Sequence, residues 1–235
     1  MIGRRSLLAA GATLPATAWA QCVTDLDEAR TNVVTQSIPT GGPWAPLDVT
    51  VTGASGIAPD GTNTMVRIAE TATTAFHTNY CVVTIVASTV YTVSVYAKAA
   101  QNRYLQLMFD NGASSQLFAT FDMQAGVVSG SLTAAGGAVV GAASIQNGGG
   151  GIYRCIISGN LGAFTAGRMF TTLSNVATSG VFPSYAGNAA NGLLVWGAQV
   201  EQGAFPSSYI PTTSGAVTRP AGLQSMSPTL KCRRT

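Results

Sequence analysis

The stretch Leu193-Leu194-Val195-Trp196-Gly197-Ala198-Gln199-Val200-Glu201, continued by residues 202–212, constrains this chain more tightly than any other. Its first half is apolar, aromatic and β-branched, so it reads as a strand buried on at least one face. Gly197, the one interruption, has no side chain, and a neighbouring strand or a large ring can lie against its backbone. After Gln202-Gly203 come Phe205, Tyr209 and Ile210 among two prolines, Pro206 and Pro211. Each proline fixes φ and removes a backbone donor, which rules out a helix or a central strand there. The expectation is a last core strand followed by an extended strap whose aromatic side chains, Phe205 and Tyr209, plug the end of the domain.

The chain before it follows the same logic of short strands and turns. Asp48-Val49-Thr50-Val51-Thr52 and Met65-Val66-Arg67-Ile68-Ala69-Glu70 alternate, with Ala58-Pro59-Asp60-Gly61-Thr62 as a turn between them. In the clearest period-2 region, Tyr91, Val93, Val95 and Ala97 share one face, and Thr92, Ser94, Tyr96 and Lys98 the other. Leu105, Leu107 and Phe109 then point inward while Tyr104 and Gln106 point outward. Joined by the turn at residues 99–102, the two segments read as a hairpin with one apolar face and one polar face. Phe118–Met123 with Gly126–Ser129 is a second hairpin candidate. Residues 130–151, small and ending in four glycines, read as weak strands joined by a mobile loop. Ile152–Ile157 and Arg168–Leu173 are firm strands. No helical period of useful length follows residue 30, and about ten short strands at regular spacing imply a two-sheet β-sandwich.

Composition agrees. Hydrophobic residues make up 46% and charged residues only 9%, with 27 glycines, which suits a turn-rich sandwich rather than a disordered chain. The formal charge of +3 is carried by the ends: without Arg4, Arg5, Lys231, Arg233 and Arg234 the 12 basic residues fall to 7 against 9 acidic ones. No basic stripe remains to neutralise phosphates, which argues against nucleic-acid binding.

Several of these pieces carry a resemblance. Trp196-Gly197-Ala198-Gln199-Val200-Glu201, with Gly203-Ala204-Phe205-Pro206-Ser207-Ser208-Tyr209-Ile210-Pro211-Thr212-Thr213, resembles the closing signature of the phage head-spike fibre domain. That module recurs in head spikes, tail fibres and other virion appendages and is itself similar to jelly-roll carbohydrate-binding modules. The order of Asn32-Val33-Val34, Trp44, the Ala58–Thr62 turn, Phe121-Asp122-Met123 and Tyr153-Arg154-Cys155 follows the same family, so the resemblance covers residues 31–219. It implies an all-β, jelly-roll-like two-sheet sandwich, non-enzymatic and placed in a virion, with other virion proteins and cell-surface glycans as partners. It also implies a homo-oligomer, trimeric in many fibres, a state that the low content of charge suits. Trp196, Glu201, Phe205 and Tyr209 are the structural closing motif. Jelly-roll sugar-binding modules sometimes hold a structural calcium ion, for which Asp60 is the best candidate here; no other cofactor is implied.

The ends add a second reading. Arg4 and Arg5, a weakly apolar run and Ala18-Trp19-Ala20 follow the order of an export signal, twin-arginine-like but lacking the usual Phe, with a mature start at Gln21. Residues 1–20 are then an export-signal-like or anchoring segment, 21–30 a linker, 31–219 the sandwich and 220–235 a basic tail. Export to the periplasm or beyond would make the chain a lectin-like protein of prophage origin; an amphipathic arm docked on a neighbouring subunit is the alternative. The sequence contains no apolar run long enough to span a membrane. Cys22, Cys81, Cys155 and Cys232 include no CxxC pair, which argues against a metal site. They allow two disulfides with three pairings, although Cys155 suits a buried thiol, and Cys22 and Cys232 flank the domain.

Catalytic machinery is hard to assemble from these residues. His77 is the one histidine, expected at a surface or loop, and no nucleophile elbow occurs. Glycoside hydrolysis needs two carboxylates, yet most acids fall in turns, strand ends or the N-terminal arm, and Glu201 suits a structural pairing with Arg154 or Arg168. The face bearing Tyr96, Lys98, Tyr104 and Gln106 combines flat rings with hydrogen-bonding groups, which suits either sugars or a neighbouring subunit. Trp44 and Trp196 are expected in the core. Export predicts a mature chain beginning at Gln21, which N-terminal sequencing checks; Met1 retained in a purified particle would instead mark a virion component.

Overall fold

The structure, a computed structural model, describes residues 28–178 and 180–221. The export-like segment, Cys22, Cys232 and the tail from residue 222 lie outside them. The chain divides into two compact units, Thr31–Thr218 and the terminal residues. In the second, Arg30 Nη2 donates to Glu28 Oε2 at 2.6 Å.

Among the described residues the fold is all-β. The strands are β1 (Arg30–Asn32), β2 (Trp44–Leu47), β3 (Val49–Gly56), β4 (Met65–Glu70), β5 (Thr74–Phe76), β6 (Thr78–Thr84) and β7 (Tyr91–Ala99). Next come β8 (Tyr104–Asp110), β9 (Gln116–Asp122), β10 (Val127–Val128), β11 (Thr133–Ala135) and β12 (Val139–Gly149). The last five are β13 (Ile152–Asn160), β14 (Ala166–Ser174), β15 (Ser184–Ala186), β16 (Gly192–Gln202) and β17 (Val217–Arg219). A seven-stranded sheet has the order β10-β9-β8-β14-β6-β2, with β11 also on β9; a six-stranded sheet has the order β12-β13-β7-β16-β4-β3. Every pairing in the two sheets is antiparallel. This is the expected jelly-roll-like sandwich. Two small ribbons, β1-β17 and β15-β5, complete it.

The core lies between the sheets. Tyr91, Val93, Val95 and Ala97 of β7 meet Leu105, Leu107 and Phe109 of β8 across it, joined by Trp44, Phe121, Met169, Leu173, Val195 and Val200. Phe109 and Phe121 are fully buried, each contributing about 1.5–3 kcal/mol by leaving water. Gly167 is a requirement of that packing, because a Cβ there would stand 2.6 Å from the Phe109 ring. Cys81 on β6 and Cys155 on β13 are free, buried thiols in opposite sheets. Burial pushes Cys81 up to about 12 and raises Cys155 as well.

Two expectations are corrected. β7 and β8 do not form a hairpin: β7 pairs with β13 and β16, and β8 with β9 and β14, so the connection crosses between sheets. Alternation marks the core side of each strand, and two strands facing one core meet that demand equally well from opposite sheets. Asn102 anchors the crossing to the six-stranded sheet through its amide to Gly192 O at 3.0 Å and its side chain to Glu70 Oε1 at 2.6 Å. As expected, residues 130–151 supply strands, β11 and the eleven-residue β12. Phe205 plugs nothing: it is 60% exposed, while Ile210, at 3%, fills that place.

Strand β16 carries a bulge. Trp196 faces Tyr96 and Gln199 faces Ser94, so Gly197 and Ala198 together oppose Val95. Gly197 has φ +64°, a conformation that costs other residues a steric penalty. A Cβ there would also stand 3.1 Å from the Tyr96 ring and 3.3 Å from that of Tyr209. Gly197→Ala is expected to destabilise the fold by about 1–3 kcal/mol, read as a lower urea midpoint with an unchanged m-value.

Candidate functional site

The four residues expected on one face occupy two. Tyr96 and Lys98 lie on the outer face of the six-stranded sheet, Tyr104 and Gln106 on the outer face of the seven-stranded one, since their strands belong to different sheets. Both positions are largely covered. Tyr96 packs edge-on against Trp196 at 5.4 Å and Tyr209 at 6.4 Å, with the Arg154 guanidinium 5.4 Å from its ring. Gln106 is fully buried: its Nε2 donates to Gly180 O at 2.9 Å, and its Oε1 accepts from Phe182 N at 3.1 Å. Lys98 and Tyr104 are half-buried, the latter under Arg103 at 5.2 Å.

The Tyr96 side is the seal of the domain. Trp196 is buried there, outside the inter-sheet core, with Met65, Ala58 and Ile152. Its Nε1 donates to Thr64 Oγ1 at 2.9 Å. Half-buried Tyr209 lies over it at 4.3 Å and shares a hydrogen bond with Ser37 Oγ at 2.6 Å. Burial, the chief cause, raises the Tyr209 hydroxyl's pKa. Glu201 Oε1 accepts from Gln199 Nε2 and from Ser207 N, and Ile210 N donates to Gln199 Oε1 at 2.8 Å. Arg154 donates to Ser94 Oγ and to Ser207 O. Burial lowers its pKa, opposed by Tyr96 and Glu201. Glu201 thus acts on Arg154 through its field and through a shared residue, Ser207. Arg168 pairs elsewhere.

That other pair organises the open part of the seven-stranded sheet. Arg168 on β14 forks onto Asp110 on β8 with both bonds at 2.7 Å, the strong bidentate geometry. Asp110 holds the guanidinium above its ordinary pKa. In register with them stand Val82 and Gln116. The next row holds Tyr80, Phe170, Met108 and Phe118. Tyr80 stacks on Phe170 at 4.9 Å and 18°, and Arg168 lies 5.1 Å from the Phe170 ring and 5.9 Å from that of Tyr80. Residues 177, 178 and 180–182 cover the far side of this face: Phe182 packs on Phe170 at 5.1 Å, and Ala177 O accepts from Ser129 Oγ at 2.7 Å. What stays open is a ledge of half-buried Tyr80, Val82 at 57% exposure and half-buried Arg168. The chemistry is a flat apolar plate beside a cation held rigidly in place. The ledge is legible in outline, since Tyr80, Val82 and Thr84 alternate with Cys81 and Val83; that Arg168 lies beside it required the strand order.

Two further polar residues are buried. His77 sits in the one-residue link between β5 and β6, a loop position as expected, yet it is buried rather than at the surface, with Nδ1 2.7 Å from Asp48 O and Nε2 3.3 Å from Tyr185 O. Glu70 is buried too, accepting from Asn102, the Tyr185 hydroxyl and Asn188 N at 2.6–2.7 Å. Burial, reinforced by Glu70, raises the Tyr185 hydroxyl's pKa. Asp60 closes its turn by accepting from the amide and hydroxyl of Thr62. Among the described residues no three His, Cys, Asp or Glu side chains gather in one place, and no helix is long and apolar enough to cross a membrane.

No family model and no curated protein matches the chain. Among solved structures it is similar to the enzymatically active domain of bacteriophage CBA120 tailspike protein 4, at 12% identity and a TM-score of 0.40 over 73% of this chain. The CBM22-1 xylan-binding domain of Paenibacillus barcinonensis Xyn10C gives 12% and 0.40, covering 73% of this chain and 94% of that one. The CBM22-1-GH10 modules of Clostridium thermocellum xylanase 10B, complexed with xylohexaose, give 12% and 0.38 over 77% of this chain. The matched part spans 21% of the tailspike chain and 29% of the xylanase chain.

The Arg103–Asp122 pair, at 2.5 Å, yields a pH test. Arg103 first, then the amides of Ala125 and Gln124, hold the Asp122 carboxyl below its ordinary pKa against burial, which raises it. Such a carboxylate contributes stability above its unfolded pKa and loses it as pH falls through the lower folded value. Arg103→Ala is therefore expected to be less stable than wild type at pH 7, with the gap closing below about pH 4, measured by urea denaturation.

Proposed function

We propose that this chain is a non-enzymatic module of a phage virion appendage, a head spike or fibre, that adheres to host-surface glycans through the Tyr80–Val82–Arg168 ledge. The observation that carries the reading is the ledge itself. Sugars present apolar C–H faces edged with hydroxyls, and a half-buried ring beside a fixed guanidinium complements both. The closing signature supports the appendage part, because Trp196, Gln199, Glu201, Ser207 and Tyr209 interlock as one unit. The non-enzymatic part is supported by the acids: Asp110 and Asp122 are tied to arginines, Glu70 to three neutral donors, and Glu201 lies beneath the strap. The exported lectin-like alternative would use the same ledge and differs in the fate of residues 1–20.

A glycan array of bacterial surface polysaccharides tests the adhesion reading. Wild type is expected to bind, and Tyr80→Ala or Arg168→Ala to weaken binding at least about tenfold, equivalent to about 1.4 kcal/mol. Tyr96→Ala should lower the melting temperature while a folded sample keeps its affinity. Wild type without hits would remove the adhesion claim, and polysaccharide turnover lost with one carboxylate change would establish an enzyme instead.

A further inference from the structure

No charged residue occurs between Asp122 and Arg154. The fold gathers this stretch on one side. Its β10 and β11 form the edge of one sheet against β9, and its β12 forms the edge of the other against β13. The whole side wall of the sandwich is therefore neutral, and it exposes Val127 at 47%, Val139 at 59% and Val140 at 50%. The opposite wall, uncharged as well, is shorter: β2 has four residues including Pro46, and β3 has eight with a register shift between Thr52 and Gly56. Strand β12 has neither charge nor proline to block it. Register shifts bend both of its ends, but Ala143–Asn147 pairs residue for residue with Ile157–Tyr153 on its inner side. Its outer side carries the unpaired backbone groups of a sheet edge, which seek a partner strand.

We propose that this wall is a self-association surface, where β12 pairs antiparallel with β12 of a second copy of this chain. Two observations choose that occupant. A charged partner would surrender hydration to a wall with no counter-charge, whereas a second neutral wall has no charge to desolvate. A strand edge is also self-complementary about a two-fold axis, each free N–H meeting the carbonyl of its own counterpart. For all of Ala143–Asn147 to pair, the axis must pass at Ile145, which sets Ser144 of one copy opposite Gln146 of the other. Both side chains are exposed and face away from the core. At about 3.3 Å per residue and about 10 Å between sheets, the wall covers roughly 350 Å² in projection. This is about half of a standard interface, so the pairing is weak and concentration-dependent. It is independent of the glycan reading.

Sedimentation equilibrium of the full chain, from about 1 µM to about 1 mM, tests it. Wild type is expected to pass from monomer to dimer, with hydrogen-exchange protection of residues 143–147 rising in step. Ser144→Lys/Gln146→Lys sets like charges opposite each other and should stay monomeric with an unchanged melting temperature, as should the corresponding double Glu variant. Mixing the two should restore the dimer. A wild type monomeric throughout, a lysine variant that assembles like wild type, or a mixture that stays monomeric would each overturn the proposal.

Discussion

The bulge at Gly197 decides which side of the last core strand faces which environment. Leu193 and Val195 point into the core before it, and Ala198 and Val200 after it. An unbroken strand would have kept strict alternation, turning Gln199 and Glu201 into the apolar interior and Val200 out. Burying those polar groups without partners costs several kcal/mol, against about 1–3 kcal/mol for a strained backbone position that glycine occupies without penalty. One inserted residue thus places an amide and a carboxylate where the returning chain needs them.

The proline-bearing strap depends on that placement. It has few regular backbone partners, so its buried groups must be satisfied by side chains. Asn32 answers part of the demand, donating to Ala198 O and Ile210 O and accepting from Val34 N and Val200 N. Ser37 and Thr212 exchange further bonds, while Gln199 and Glu201 take Ile210 N and Ser207 N. The first and last segments of the sandwich are joined through these polar groups, with the Tyr96–Trp196–Tyr209 cluster beside them. Aromatic residues on that face are committed to closing the fold, which is why the open ledge lies on the other sheet.

Each sheet has its outer face partly roofed, one by the strap and the other by residues 177, 178 and 180–182. Arg168, Tyr80 and Val82 remain accessible because the roof is anchored two rows away, at Gln106, and because β2 ends opposite Cys81. Charge is sparse, so each ion pair stands apart and shapes its surroundings. Arg168–Asp110 orders the ledge, Arg103–Asp122 closes the turn after β9, and Arg154 holds the strap through Ser207. The neutral wall formed by residues 123–153 is the counterpart of that economy.

The sequence by itself determined which side of each strand is buried. Alternation places Val93 and Val95, or Leu105 and Leu107, inward whatever the neighbours, because a pleated chain presents successive side chains to opposite faces. It also determined the turn at Asp60, the unusual status of Gly197 and the irregular strap, since proline and glycine act on their own backbone. Only the tertiary structure decided which sheet each strand joins. That choice separated Tyr96 from Tyr104, brought Arg168 beside Tyr80 and Asp110, buried His77 and Glu70, and left Phe205 in solvent. The reason is physical: burial demands only an apolar side facing the core, and either sheet supplies it. The partner strand is selected by long-range pairing and by polar groups distant in the chain, which no local period records.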